Sequence, residues 1–78
     1  MEFEILQRII AEAMNYDPDD ITEDTKFVDD LGADSLDIFQ IILAIEDEFE
    51  ISISDNQVES IVTVGDAAEE IKKAVDEQ

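Results

Sequence analysis

Cysteine and histidine are both absent from this chain. Without cysteine there is no disulfide framework and no thiol nucleophile, and without either residue the usual zinc ligands are missing. Histidine is also the commonest general base at neutral pH, so a self-sufficient enzyme is not expected. Apolar runs of the ~20 residues that span a bilayer are missing too. The start Met1-Glu2-Phe3-Glu4 does not resemble a secretory signal, and a cytoplasmic location without membrane insertion is expected.

Basic residues are scarce as well. Four Lys and Arg stand against 23 Asp and Glu, which gives a net charge of −19. The span from Phe27 to Ile71 contains 13 acidic residues and not one basic residue. Such a field repels nucleic acid and anionic lipid and speeds encounters with basic protein surfaces. Because self-repulsion of this size opposes folding, a role directed at protein partners explains it better than solubility alone.

What is present is an ordinary hydrophobic share of 45% on 78 residues, enough for one small domain over residues 1–78. Apolar residues recur at three- and four-residue spacing, which is typical of helices, and strand-like alternation does not stand out. We predict an all-α fold, a small bundle of three main helices and one short helix. A long loop joins helices one and two, and the protein is expected to be a monomer.

The first helix is predicted from Glu2 to about Asn15, because proline disfavours helix for the residue before Pro18. Its inner face comprises Phe3, Leu6, Ile10 and Ala13, with Ile9 and Met14 beside them. Residues 16–34 then form the long loop. Four apolar side chains are expected to pin this loop to the helices: Ile21, Phe27, Val28 and Leu31.

The second helix is predicted from Ser35 to Glu50, with Asp34 or Ser35 as its N-cap. Its core positions are Ile38, Ile41, Ile42, Ile45 and Phe49. A second apolar set, Leu36, Phe39 and Leu43, falls on a different face. Since a domain of this size cannot bury a helix that is apolar nearly all round, we expect this set to be exposed as a docking surface.

After a linker at 50–54, Asp55 is predicted to cap a short helix that runs to about Ile61. Thr63 is predicted to cap the last helix, with Asp66 completing a capping box. The inner face of that helix is expected to contain Val64, Ala67, Ala68, Ile71 and Val75.

Ser35 lies at the junction of loop and helix, with acidic residues on both sides. It is open to three interpretations. A helix cap needs no further function. A hydrolytic nucleophile needs a base oriented by a third group, and the missing histidine, cysteine and nearby lysine argue strongly against that role. An acceptor for a group installed by another enzyme needs only exposure and recognisable surroundings, which the helix start supplies.

The segment Leu31-Gly32-Ala33-Asp34-Ser35-Leu36-Asp37, followed by a helix ending in Ile45-Glu46-Asp47-Glu48-Phe49, resembles the acyl carrier proteins of dissociated fatty acid synthesis. The similarity covers almost the whole chain. It includes Asp19-Asp20-Ile21-Thr22 and Thr25-Lys26-Phe27-Val28-Asp29-Asp30-Leu31-Gly32 in the loop, and Val62-Thr63-Val64-Gly65-Asp66-Ala67 at the last helix.

The resemblance implies that Ser35 carries 4′-phosphopantetheine, transferred from coenzyme A by a phosphopantetheinyl transferase, and that acyl groups are held on it as thioesters. It implies as partners the acyltransferases, ketosynthases, reductases and dehydratases of fatty acid synthesis. From the charge and the missing ligand spacing, we expect neither nucleic acid as a partner nor a resident metal. Partner docking is implied for Asp34, Leu36, Asp37, Phe39, Gln40, Leu43, Glu46, Asp47 and Ile53. An acyl chain is expected to shelter between helices, in a cleft formed by Ile38, Ile42, Ile45 and Ile61.

Where the family often has valine followed by glutamate, this chain has Phe39-Gln40. The expected docking surface therefore lacks one carboxylate and gains a ring. A specialised carrier for polyketide, peptide or other acyl transfer is the alternative within the family. An acidic mimic of nucleic acid is the alternative from another class. Asp17, Asp19 and Asp20 suggest a calcium loop only loosely, because the order and spacing of an EF-hand are missing.

Overall fold

The structure, a computed structural model, describes residues 2–76. Over that range the chain forms α-helices, one short 3-10 helix and no strand, so the all-α prediction is confirmed. The helices are α1 (Glu2–Met14), α2 (Ser35–Phe49), α3 (Asp55–Glu59) and α4 (Val64–Asp76), and the 3-10 helix covers Pro18–Asp20.

The core lies where α1 packs against both α2 and α4. Leu6 and Ile10 of α1, Ile45 of α2 and Ile71 of α4 are completely buried. Burying one such side chain contributes about 1.5–3 kcal/mol relative to leaving it exposed. These few aliphatic residues therefore hold the three long helices together.

The end of α1 differs from the prediction. Ala13, which we expected on the inner face, is exposed, whereas Met14 packs against the core. The helix stops at Met14, Asn15 takes a left-handed φ of 53°, and the Tyr16 N–H donates to the Ala11 carbonyl at 3.0 Å. Met14 lies four residues after the buried Ile10 and so shares its face of the helix, which leaves Ala13 facing solvent.

The long loop follows the prediction at three of its four anchors. Ile21, Phe27 and Leu31 are buried, but Val28 is 61% exposed and the prediction for it was wrong. Burial alternates from Thr25 to Val28, with Thr25 and Phe27 inside. Residues 27–31 form a turn in which the Asp30 N–H donates to the Lys26 carbonyl at 3.0 Å, and this turn faces Phe27 and Leu31 towards the core and Val28 towards solvent.

Backbone hydrogen bonds fasten this loop to the segment that leads into α4. The Phe27 N–H donates to the Val62 carbonyl at 3.1 Å, and the Val64 N–H donates to the Thr25 carbonyl at 2.8 Å. Between them Lys26 and Thr63 form an isolated antiparallel bridge. The middle of the chain is thus held by residues near its end.

The boundaries of α2 and α3 each differ slightly from the prediction. α2 ends at Phe49, and Glu50 is its C-cap in a left-handed conformation with φ 55°. Ser54, not Asp55, caps α3, because the Ser54 hydroxyl accepts from the Gln57 N–H while the Gln57 side chain accepts from the Ser54 N–H. α3 is also shorter than predicted, since it ends at Glu59 instead of Ile61.

The start of α4 is as predicted. The Asp66 N–H donates to the Thr63 hydroxyl at 3.1 Å, and an Asp66 carboxylate oxygen accepts from the Thr63 N–H at 3.1 Å. This is the expected capping box. The same oxygen also accepts from the Val62 N–H at 3.0 Å, so Asp66 fixes both the helix start and the segment before it.

Candidate functional site

Asp34, and not Ser35, is the N-cap of α2. Its carboxylate accepts from the Asp37 N–H at 2.9 Å, and the Asp37 carboxylate accepts in return from the Asp34 N–H at 3.2 Å. Ser35 is the first residue of the helix, its side chain is exposed, and its hydroxyl has no hydrogen-bond partner within residues 2–76. The capping interpretation therefore applies to Asp34, and the Ser35 hydroxyl takes no part in the cap.

The backbone before Ser35 is set by a turn and a buried anchor. Gly32 adopts a left-handed φ of 69°, which glycine reaches without steric cost. The next residue, Ala33, is buried at 3% exposure, and its N–H donates to the Phe27 carbonyl at 2.9 Å. The loop is thus fixed two residues before Ser35, which leaves the serine in a defined position at the surface.

The second apolar set on α2 is exposed, as predicted. Leu36 is 62% exposed, Phe39 57% and Leu43 49%. Their spacing of three and four residues places them side by side along one face of the helix. Large apolar side chains collected on one face, beginning next to Ser35, form the kind of patch that marks a contact surface.

The polar residues predicted at the docking surface fall into two groups. Asp34, Gln40 and Asp47 are exposed and Asp37 is half-buried. Glu46 is half-buried, and its carboxylate accepts from the Ile53 N–H at 2.8 Å. The Ile53 side chain is only 8% exposed and belongs to the core. The structure therefore uses Glu46 and Ile53 to hold the segment between α2 and α3, and Ile53 offers almost no surface of its own.

A pocket of about 300 Å³ opens beside Ser35, between α2 and α3. It is lined by Ser35, Ile38, Phe39, Val58, Glu59 and Ile61. Ile38 and Ile61 are the two members of the predicted cleft that line it. Ile42 and Ile45 lie in the buried core instead. Sequence spacing missed Val58 and Glu59, because their place in the wall depends on where the tertiary fold places α3.

Of the three loop aspartates that loosely suggested a calcium loop, Asp17 has a structural role. The Asp17 carboxylate accepts from the Asp19 N–H at 2.9 Å and caps the 3-10 helix, in which Pro18 is the first residue. No group of three or more acidic residues is arranged to hold a metal ion within the described part of the chain. The helices of residues 2–76 are also too short or too polar to cross a membrane.

Comparisons with known proteins agree with this geometry. The family model described as "Phosphopantetheine attachment site" matches residues 4–71. The acyl carrier protein of Sulfurovum sp. (strain NBC37-1) is 49% identical over 65 residues, covering 83% of this chain and 87% of that protein. The acyl carrier protein of Helicobacter pylori (strain J99) is 49% identical over 70 residues, covering 90% of each. The solved acyl carrier protein of Enterococcus faecalis is 34% identical with a TM-score of 0.80, covering 94% of this chain and 92% of that one.

Proposed function

Since this chain belongs to the acyl carrier protein family, whose prosthetic group is a covalent 4′-phosphopantetheine, we propose that Ser35 carries that group and that the protein presents acyl groups to the enzymes of fatty acid synthesis. The observation that supports this most is that two different residues at the start of α2 serve as the N-cap and as the proposed attachment site. Asp34 performs the capping, so the exposed Ser35 hydroxyl is left without a structural task.

The residues around Ser35 suit the proposed attachment. When bound, the prosthetic group supplies a flexible arm and the thiol that this chain lacks, on which acyl groups are held as thioesters. A phosphodiester at Ser35 lies in the first turn of a 15-residue helix, where the helix dipole favours negative charge. The capping box of Asp34 and Asp37 keeps that turn formed whether or not the serine is modified.

The pocket beside Ser35 is proposed to shelter the acyl chain. Its side walls contain the aliphatic side chains of Ile38, Val58 and Ile61. A cavity of about 150 Å³ lined by such residues is known to accept benzene. The volume of about 300 Å³ found here is twice as large, which is room for an alkyl chain of short to medium length.

Partner enzymes are proposed to dock on the exposed apolar set of α2 and its acidic surroundings. These partners are a phosphopantetheinyl transferase and the acyltransferases, ketosynthases, reductases and dehydratases of fatty acid synthesis. The proposed contacts remain Asp34, Leu36, Asp37, Phe39, Gln40, Leu43, Glu46 and Asp47, with Ile53 supporting them from beneath. A cytoplasmic monomer with a carrier role and no catalysis of its own fits this proposal.

A specialised acyl transfer pathway is a second candidate, and one observation favours it. Phe39 is 57% exposed and also lines the pocket, while Gln40 beside it is neutral. Both the docking surface and the pocket mouth therefore carry an aromatic ring that the usual valine would not provide. Comparing the acylation of this protein by fatty acid and polyketide acyltransferases would separate the two pathways.

Intact mass measured before and after incubation with coenzyme A, magnesium and a broadly tolerant phosphopantetheinyl transferase tests the attachment. We expect the wild type to gain the mass of one phosphopantetheine and Ser35→Ala to gain nothing. Ser52→Ala is the matched control, because Ser52 is also exposed and is outside the capping motifs. An unchanged wild-type mass, or a gain in Ser35→Ala, would overturn the assignment.

A further inference from the structure

α3 forms one side of the pocket although it has little to hold it in place. It contributes Val58 and Glu59 to the lining. It is only five residues long, and none of them is fully buried. Helices this short are not stable by themselves in water. The position of this wall therefore depends on the contacts that tie α3 to the rest of the molecule.

One such tie comes from the side-chain amide of Gln57, which uses both of its ends. Its oxygen accepts from the Ser54 N–H at 2.9 Å, within the capping box of α3. Its nitrogen donates to the Glu70 carboxylate on α4 at 2.9 Å. Because the Gln57 amide oxygen accepts from Ser54, the amide nitrogen is the end that faces α4. The Gln57 side chain therefore joins the start of α3 to α4.

Glu70 is a firm anchor for this bond. Its side chain is only 13% exposed, and the neighbouring Ile71 is completely buried in the core. The other oxygen of Glu70 lies 3.8 Å from the exposed Lys73 ammonium, a weak surface ion pair. A hydrogen bond to a carboxylate that is mostly removed from water is among the stronger polar contacts in a protein.

We propose that the Gln57–Glu70 hydrogen bond is a latch that holds α3 against α4 and thereby keeps the pocket between α3 and α2 open. Gln57 is then a positioning residue for the acyl chain, since it does not line the pocket itself. This inference rests on the proposed shelter of the acyl chain beside Ser35. If the latch is removed, Val58 is free to move towards Ile38. The free energy of binding the acyl chain in the pocket then includes the cost of ordering α3.

The capping box allows the latch to be removed by itself. Gln57→Glu keeps an oxygen that accepts from the Ser54 N–H, but it loses the donor and sets two carboxylates against each other. In the double variant Gln57→Glu/Glu70→Gln, donor and acceptor change places and the bond can form again. Glu69→Gln is the matched control, because it removes the same charge from an exposed neighbouring position on α4.

The experiment uses the protein loaded with an octanoyl group on its arm. NMR contacts between the octanoyl methylenes and the methyl groups of Val58 and Ile61 measure the ratio of sheltered to exposed chain. We expect Gln57→Glu to lower this ratio by about tenfold, which corresponds to about 1.4 kcal/mol and lies near the lower end for a bond to a charged group. The double variant should return it towards the wild-type value, and Glu69→Gln should leave it unchanged.

A second measurement reports on the latch without any cargo. In the unmodified protein, the side-chain amide resonances of Gln57 should shift in Glu70→Ala and stay in place in Glu69→Gln. Glu70→Ala also breaks the latch from the α4 side, so it replaces Gln57→Glu in the octanoyl experiment if that variant does not fold.

The outcomes separate the latch from the shelter. A wild type whose octanoyl chain contacts Val58, combined with latch variants that shelter it equally well, would overturn the latch alone. A loss in Gln57→Glu that the double variant does not restore would also overturn it. A wild-type octanoyl chain that never contacts the pocket would overturn the shelter and with it the positioning role of Gln57, while the mass test of Ser35 would stand independently.

Discussion

The Gly65 N–H donates to the Glu23 carbonyl oxygen at 2.8 Å, and a Cβ built on Gly65 would lie only 2.9 Å from that same oxygen. The first turn of α4 therefore approaches the backbone of the long loop as closely as a residue without a side chain allows. The obstacle is a backbone carbonyl that Gly65 itself holds in place, so it cannot rotate away as a flexible side chain would.

We expect Gly65→Ala to destabilise the protein. Alanine favours a helix over glycine by up to about 1 kcal/mol, but forcing the loop away sacrifices the hydrogen bond and costs about 1–3 kcal/mol for overpacking. The net effect should lower the thermal midpoint by several degrees, since about 1 kcal/mol corresponds to ~4–8 °C in a domain of this size.

Gly32→Asn is the control, because Gly32 has open space around it and asparagine tolerates a left-handed φ. An unchanged or raised midpoint in Gly65→Ala would contradict this account.

The net charge of −19 predicts that salt stabilises the fold. The Cα radius of gyration is 11.2 Å. The Debye length falls from ~30 Å at 0.01 M to ~8 Å at 0.15 M salt, so it passes from about the longest dimension of the molecule, 31 Å, to well below its shortest, 20 Å. Repulsion across the whole molecule is then screened, and the thermal midpoint should rise over this range. Magnesium chloride at matched ionic strength tests whether divalent cations add to the effect. A midpoint that does not respond to salt would refute the prediction.

Asp66 predicts a specific acid sensitivity. Hydrogen bonds from the backbone N–H of Thr63, and secondly of Val62, lower the pKa of this carboxyl below its ordinary value of 3.8. A lowered folded-state pKa adds stability that is present above 3.8 and is lost as the pH falls through the folded-state value. The midpoint difference between wild type and Asp66→Asn should therefore be largest near neutral pH and shrink in acid.

Measuring that difference in shared buffers separates Asp66 from the other carboxylates. Any general effect of pH on charge repulsion acts on both proteins alike. Only the gap between the two proteins reports on Asp66. A gap that stays constant or widens in acid would show that the carboxylate bonds to Thr63 and Val62 do not stabilise the folded state.

Charged and apolar residues of the docking surface are predicted to affect different rates. Substituting a charged residue should change the association rate, and truncating an apolar residue should change the dissociation rate. Asp37 is an unsuitable probe, because its carboxylate also closes the capping box with Asp34. We therefore choose Asp47→Lys, which should slow association with a phosphopantetheinyl transferase in a salt-dependent way. Leu43→Ala should mainly speed dissociation.

Stopped-flow binding at two salt concentrations measures both rates. Asp24→Lys is the control for net charge, since Asp24 is an exposed residue of the loop between α1 and α2. Equal and salt-independent effects of Asp47→Lys and Leu43→Ala would count against a docking surface on α2, as would an equal slowing by Asp24→Lys.

Sequence periodicity was most informative where the chain is helical. The exposed set of Leu36, Phe39 and Leu43 could be separated from the core, because a helix gives each residue a fixed direction. The capping box of Thr63 and Asp66 was also predictable, since its partners are three residues apart. The exposure of Ser35 was expected, but whether Asp34 or Ser35 caps the helix required the hydrogen bonds themselves.

Prediction was less successful where tertiary contacts decide the outcome. In the loop no regular spacing distinguishes buried from exposed positions, and the turn over residues 27–31 buries Phe27 and Leu31 while it exposes Val28. The composition of the pocket was likewise only half predicted. Val58 and Glu59 reach it through the placement of α3, and the bond from Gln57 to Glu70 that supports this placement joins residues 13 positions apart.

The backbone hydrogen bonds between the long loop and residues 62–65 have a consequence for synthesis on the ribosome. The segment that presents Ser35 obtains its backbone partners from Val62 and Gly65, which are made some thirty residues later. A nascent chain that has exposed Ser35 but not yet α4 has the local bonds of Ala33 and Asp34 but lacks the bonds from the loop to residues 62–65. Under the proposed attachment, an enzyme that recognises the folded surface therefore acts on Ser35 only after residues 62–65 have been made and have bonded to the loop.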